Sequence, residues 1–548
     1  MRTSGPVSTR CSGFENPLGA AWSTSIAVQL ARSAYRRLSV SVSCWLSGSL
    51  VARWAAAAVP ATSERLASIA GGSVIVGWLA GPGRELEVFR HSLTHRVIRR
   101  AAASCRLRIP SKVRAMIDGS IALAAARDLI LRLSTDRARM LLSAAILGFA
   151  PFTPTPLMVV ACLLWGAALA AAPGSRRAGR TRAGGNTDIA FAFLALCISL
   201  SAATSVARGA SLPSFVLWAA YSCAFAVSSS VRPSREGLKF LAVAFVIGAC
   251  AVAAIGVMQF LVGGETPQSW IDTKMFEEVK TRVYSVFDNP NMLAEYLGFA
   301  LPVCLALAFS DHSPAVRSMG VVGGGLLSVC LVLTLSRGGW LAALIGLVFV
   351  AYAVDRRLVW TMLAIMAMTA PFLPQTVRMR AISTFTLADS SSRYRLTIWT
   401  SALRMVRDYW ASGVGLGPGA FSYVYPAYEI AGTPAAHTHN VYLQTLVESG
   451  IPALFALIWY FASFLRETTP MLGPSPSPRG RSEKSERLIA AAFAGGIAGQ
   501  MVHGFMDNIW YSPKDAFVFW VLSGLALACA RHMALDGRGD SEARAGEV

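Results

Sequence analysis

Charged residues are scarce in this chain: only 15% of its 548 residues are Asp, Glu, Lys or Arg, while 54% are hydrophobic. Soluble domains carry roughly 25% charged residues, so a water-soluble globular protein is excluded and a bilayer is the solvent the composition calls for. Acid is the scarcer sign, with 30 Asp and Glu against 50 Lys and Arg and a formal net charge of +20. That surplus does not point to nucleic acid. The basic residues fall in short clusters between long apolar runs, as in cytoplasmic loops, and no RNA- or DNA-binding motif accompanies them.

Pairing signals are also missing among the ten cysteines, which include no CxxC and none in a segment placed outside below. Disulfides, a redox motif and a thiolate metal site are therefore not expected. A clean signal peptide is absent too, because Arg32, Arg36 and Arg37 interrupt the first apolar stretch. The spans themselves are expected to target the protein. Residues 1–138 hold no uninterrupted apolar run of the ~20 residues a span needs and are read as a cytoplasmic or interfacial extension of unassigned role.

What is present begins at about residue 139. Apolar segments recur over 139–153, 156–173, 187–204, 213–230, 237–262, 291–309, 317–335, 338–354, 357–374, 440–465, 488–508 and 515–531. These predict an all-α polytopic membrane domain over 139–548 with about twelve transmembrane helices. Basic clusters at Arg176–Arg182, Arg232–Lys239, Arg356–Arg357 and Arg466–Arg487 all fit one alternating topology with both termini inside. The two longest connections, 263–290 and 375–439, then emerge outside, where long loops tend to carry function. Within the second, Arg393–Trp410 predicts an amphipathic helix and Gly413–Gly419 a turn-rich connection.

Histidine is rare enough to search exhaustively. Of the seven, only His437, His439 and His503 can reach the outer face, and His439 is expected in the first turn of the tenth span. Asn440, Gln444 and Glu448 follow at i, i+4 and i+8 and predict a polar stripe running into the apolar layer. Such groups are costly in lipid and face a bundle interior or an aqueous cavity. His437 precedes the helix and is expected in solvent. A metal is not expected, because side chains at i and i+2 diverge on a helix and no outer carboxylate cluster is evident. Against the inside bias of basic residues, Arg282, Arg337, Arg393 and Arg395 stand outside. Guanidinium suits phosphate, since its planar fork donates two parallel hydrogen bonds.

At these residues the sequence resembles the O-antigen ligase and polymerase (Wzy-C) family over roughly residues 185–531. His439-Asn440, nine intervening residues and then Gly450 are similar to the ligase signature, although that pattern continues with Gly, Thr or Tyr where this chain has Ala453. Supporting matches are Arg282 with Asn289-Pro290-Asn291, Ser336-Arg337-Gly338, and Arg395 with Trp399 followed by Gly413–Gly417. Glu448, His503 and Asp507 also look like family positions.

The resemblance implies a glycosyltransferase C-like bundle in the bacterial inner membrane, with a large periplasmic loop over the active site. It implies a glycan donor on undecaprenyl diphosphate and, as acceptor, the lipid A core in a ligase, a second lipid-linked glycan in a polymerase or a protein hydroxyl in the related O-oligosaccharyltransferases. His439, Arg282 and Arg395 would be catalytic and Arg337, Asn440, Gln444 and Glu448 substrate-binding, with neither metal nor cofactor. A small-anion transporter is the rival from another class. It would place its ionisable groups at mid-membrane.

Overall fold

The computed structural model describes residues 128–129, 131–171, 185–232, 234–263, 281–382, 390–473 and 481–545, all within one compact unit, Gly83–Val548. The extension expected over residues 1–138 lies outside the described residues up to position 127, as does most of the connection 263–290. Among the described residues every regular element is helical.

Helices occupy all twelve predicted stretches: α1 (Asp136–Phe149), α2 (Thr155–Ala171), α3 (Asn186–Thr204), α4 (Arg208–Ser229), α5 (Arg235–Val262) and α6 (Pro290–Phe309). Next come α7 (Pro314–Leu333), α8 (Arg337–Val354), α9 (Arg356–Thr369), α10 (Gln375–Ile382), α11 (Ser390–Tyr409) and α12 (Gly417–Val424). The chain closes with α13 (Val441–Thr468), α14 (Arg481–His503) and α15 (Pro513–Ala545). Helices α10 to α12 belong to the large connection 375–439. Among the described residues eight helices, α3 to α8, α13 and α15, are long and apolar enough to cross a membrane. The protein is thus a multi-pass helical membrane protein. Helices α1 and α9, at 14 residues each, fall short of the ~20 residues of a full span.

Short polar residues set the starts of these helices. Ser234, Asn289, Ser336, Asp355 and Asn440 each accept a hydrogen bond from a backbone N–H in the first turn they precede. Helix α6 is central. All of its residues from Leu293 to Leu307 except Leu305 are buried, and it packs against α7, α8 and α14. Helices α8 and α14 meet through the small residues Ala342, Gly346, Gly495 and Gly499, which let the two backbones approach closely without a polar seam.

Two features fix the ends of the bundle. At one, Arg531 reaches Asp188 at 2.9 Å and Glu467 at 3.1 Å, tying α15 to α3 and α13. At the other, α13 is broken at Gly450, whose φ of 78° and ψ of −179° belong to a region open only to glycine. The break frees carbonyls that the loop after α11 then uses: Val414 N–H donates to Val447 O at 2.9 Å and Gly415 N–H to Glu448 O at 3.1 Å. In return Ile451 N–H donates to Trp410 O at 2.8 Å. The family-like pairing of Gly450 with Gly413–Gly417 is therefore one joint, docking the large connection onto the opened helix.

Candidate functional site

Helix α11 forms as the sequence predicts, with Ile398, Ala402 and Met405 on its buried face against Val414, Phe421, Tyr425 and Val447. That packing is a small core of its own, and it holds Arg395 and Trp399 over the segment 437–440. Trp399 Nε1 donates to Thr438 O at 2.9 Å, and Tyr394 Oη to Pro434 O at 2.6 Å.

Segment 437–440 differs from the expectation. The tenth span starts at Val441, so His439 precedes the helix and adopts a left-handed φ of 50°. A β-carbon makes that conformation costly, on the order of 1–3 kcal/mol, and such outliers persist where surrounding contacts over-determine them. Ser285 and Leu335, both at φ 54°, show the same strain in the neighbouring loops. Because the segment is extended and kinked rather than helical, the side chains at i and i+2 converge. His437 Nε2 lies 3.1 Å from His439 Nδ1, and their ring centroids are 4.0 Å apart.

His437 is therefore buried, not in solvent: it is 9% exposed and packs on Tyr511. Burial pushes its pKa down, partly offset by the Asp507 carboxylate 3.7 Å from Nε2.

Asp507 is the residue that sequence reasoning underrated. It lies past the end of α14 in a turn, not inside the eleventh span. Its Oδ1 is 3.0 Å from His439 Nδ1, and its Oδ2 accepts from Asn291 Nδ2 at 2.9 Å and lies 3.9 Å from Arg395. Burial raises the carboxyl, but His439 with its hydrogen bond, the nearby His437 and Arg395 outweigh it and hold Asp507 well below the ordinary carboxylate range.

Arg282 is brought to the same place. It is 8% exposed, its Nε donates to Thr334 O at 3.0 Å, and its Nη2 donates to Asn291 Oδ1 at 3.4 Å. Burial, followed by the fields of Arg380, Arg395 and Arg337, pushes its guanidinium down to about 9. Four arginines thus share one space. Arg380 is one of them, and its Nε donates to Leu335 O at 3.3 Å. Arg337 opens α8, where Gly338 lies so close to the His503 ring that no larger residue would fit. Arg393 is exposed on α11.

The polar stripe divides. Asn440 is the cap of α13, accepting from the N–H groups of Tyr442 and Leu443 and donating to Phe505 O. Gln444 and Glu448 remain a pair: Gln444 Nε2 donates to Glu448 Oε1 at 2.7 Å, while Gln444 Oε1 accepts from Thr438 N–H. Both line a cavity that His437 also lines.

His437, His439 and Asp507 offer three donor atoms within 4.8 Å of one another, so the premises against a metal, diverging histidines and no carboxylate, do not hold here. What opposes a cation is the surrounding charge. Four arginines outnumber the two carboxyl groups there, Asp507 and its neighbour Glu295, and the net positive field suits an anion.

Fold and site together define a multi-pass helical membrane protein with a histidine–aspartate pair set among arginines. Residues 322–458, from the middle of α7 to beyond the middle of α13, match the O-antigen ligase family. The matched segment carries Arg337, Arg395, His439, Asn440, Gln444, Glu448 and Gly450, whereas Arg282, Asn291 and Asp507 lie outside it. No curated protein sequence matches the chain.

Proposed function

We propose that this chain transfers a glycan from undecaprenyl diphosphate to an acceptor hydroxyl, with the lipid A core as the acceptor, at the periplasmic face of a bacterial inner membrane. One observation carries the reading: an imidazole held by Asp507 and four arginines converge at one end of a helical bundle in which residues 322–458 match the O-antigen ligase family. The bundle provides lipid contact for the polyprenyl tail, the arginines suit a diphosphate, and a hydroxyl acceptor needs a base.

In this reading His439 Nδ1–H donates to Asp507, which leaves Nε2 as the acceptor of the hydroxyl proton. The acceptor oxygen attacks the anomeric carbon as the bond from that carbon to the diphosphate oxygen breaks. Arg282 and Arg395 take up the charge on the departing undecaprenyl diphosphate, with Arg337 and Arg380 adding to the field. Asp507 stabilises the imidazolium that forms. No metal is required, because guanidinium groups neutralise the leaving group. Gln444 and Glu448 serve the acceptor side, and Asn440 acts by fixing the start of α13.

The second reading, a polymerase of the same family, draws on Ala453, which departs from the ligase pattern. The glycolipids of a deletion strain separate the two. Loss of polymer from the lipid A core with accumulation of lipid-linked polymer supports the ligase, and products holding a single repeat support the polymerase. An unchanged glycolipid profile overturns both.

A further inference from the structure

A cavity of about 290 Å³ opens beside His437, between α3, α4, the first turns of α13 and the segment that leads into α15. Its wall includes His437, Gln444, Glu448, Asn508, Trp218 and Tyr511, and neither His439 nor any of the four arginines. Small-molecule sites run to about 300–1,000 Å³, so this one accommodates a single sugar ring and not a polymer.

The chemistry of the wall narrows the occupant. His437 Nδ1 is buried and meets no partner, although the other ring nitrogen is engaged. An unmatched buried polar atom costs about 1–3 kcal/mol, which a ligand hydroxyl would relieve. A polyprenyl tail would instead seal His437, Gln444 and Glu448 against hydrocarbon, the costliest environment for such groups. A phosphate would meet the carboxyl group of Glu448 with no arginine beside it. A neutral sugar suits all of them: its hydroxyls pair with the imidazole, amide and carboxyl, and its C–H face packs on an aromatic ring. Trp218 is held for that purpose by an edge-on contact with Trp510 at 5.1 Å.

We infer that this cavity is the acceptor subsite, binding the uncharged pyranose ring that bears the reactive hydroxyl. The inference rests on the proposed glycan transfer. It makes His437 a positioning residue: the sugar rests on a ring whose centroid is 4.0 Å from that of His439, so its hydroxyl is delivered beside the base. Donor and acceptor then occupy separate compartments, the arginine cluster for the diphosphate and this cavity for the nucleophile. Water can replace the acceptor without changing how the donor binds.

The test uses the full-length protein in lipid nanodiscs, a radiolabelled synthetic undecaprenyl-diphosphate disaccharide as donor, and methyl β-D-glucoside as the neutral acceptor probe. Two products are followed: label joined to the glucoside, and label released by attack of water. Wild type forms the glucoside product with saturation. Glu448→Gln, Trp218→Ala and His437→Gln each raise the KM for glucoside by about tenfold or more, the loss of one hydrogen bond or stacking contact. In Trp218→Ala, whose ring packs on Tyr221, Trp510 and Trp520 and not on His439 or Asp507, release of undecaprenyl diphosphate to water keeps its rate and donor KM. Retained hydrolysis also shows that Trp218→Ala is folded. Unchanged glucoside KM in the three variants overturns the inference. So does a parallel loss of both products in Trp218→Ala, or a wild type that hydrolyses donor but never glycosylates the probe. A wild type that leaves the donor intact overturns the proposed function instead, and the inference with it.

Discussion

His439 Nδ1 lies 3.0 Å from Asp507 Oδ1, joining the strained residue just before α13 to the turn that follows α14. Asn291 and Arg395 hold the other oxygen of the same carboxylate, so the imidazole is oriented by a group that is itself oriented twice.

From that relationship, Asp507→Asn is expected to slow glycan transfer by about 10²- to 10⁴-fold, the range for loss of proton transfer in the correct tautomer. Protein level and donor affinity should hold near wild type. A single-turnover assay on membranes checks it, and a loss below about tenfold contradicts the orienting role.

Arg282 is expected to tolerate Lys poorly. Its Nε and Nη2 donate to Thr334 O and Asn291 Oδ1, a planar set of donors that a lysine ammonium cannot reproduce. Arg282→Lys should lose roughly 10- to 100-fold in transfer, the equivalent of one or two charge-assisted bonds. Inorganic diphosphate should raise the melting temperature of wild type and not of Arg282→Lys. Equal shifts in the two would leave only a diffuse positive field.

His437 gives a pH dependence of stability. Burial lowers its folded pKa below the unfolded value of ~6.5, so the unfolded state binds more protons between the two values. Stability is present above ~6.5 and is lost as pH falls through the folded value, against a background set by its neighbours Asp507, His439 and Arg395. In His437→Gln the fall in melting temperature below pH ~6.5 should be shallower than in wild type. A steeper fall would refute the sign.

Gly450→Ala should cost about 1–3 kcal/mol from backbone conformation alone, with further strain against Ala411 and Trp410, whose carbonyls occupy the space of a β-carbon. Limited proteolysis should then cut the 375–439 connection faster, because its docking onto the freed carbonyls fails.

Hydropathy made the twelve helical stretches and the amphipathic α11 legible, since period and apolar length are local properties. It also picked out His439, Arg282, Arg337 and Arg395, which the structure does gather. What it missed depends on chain conformation and on partners distant in sequence. The kink at His439 turns His437 inward, and a helical periodicity assumes the opposite. Asp507 was within view as a family-like position, but its pairing with His439 across 68 residues follows only from where α14 ends. Arg380 has no distinguishing neighbour in sequence and takes its place only through the field it shares with Arg282.

The most direct test of the central claim is release of undecaprenyl diphosphate from a lipid-linked glycan by purified protein, measured for wild type and His439→Ala with and without EDTA. Wild type should transfer the glycan equally well in both conditions, and His439→Ala should fall by about 10²- to 10⁴-fold with unchanged expression and melting. An active His439→Ala protein, or inhibition by EDTA that added divalent metal reverses, would contradict the assignment of His439 as the base and return His437, His439 and Asp507 to the role of metal ligands.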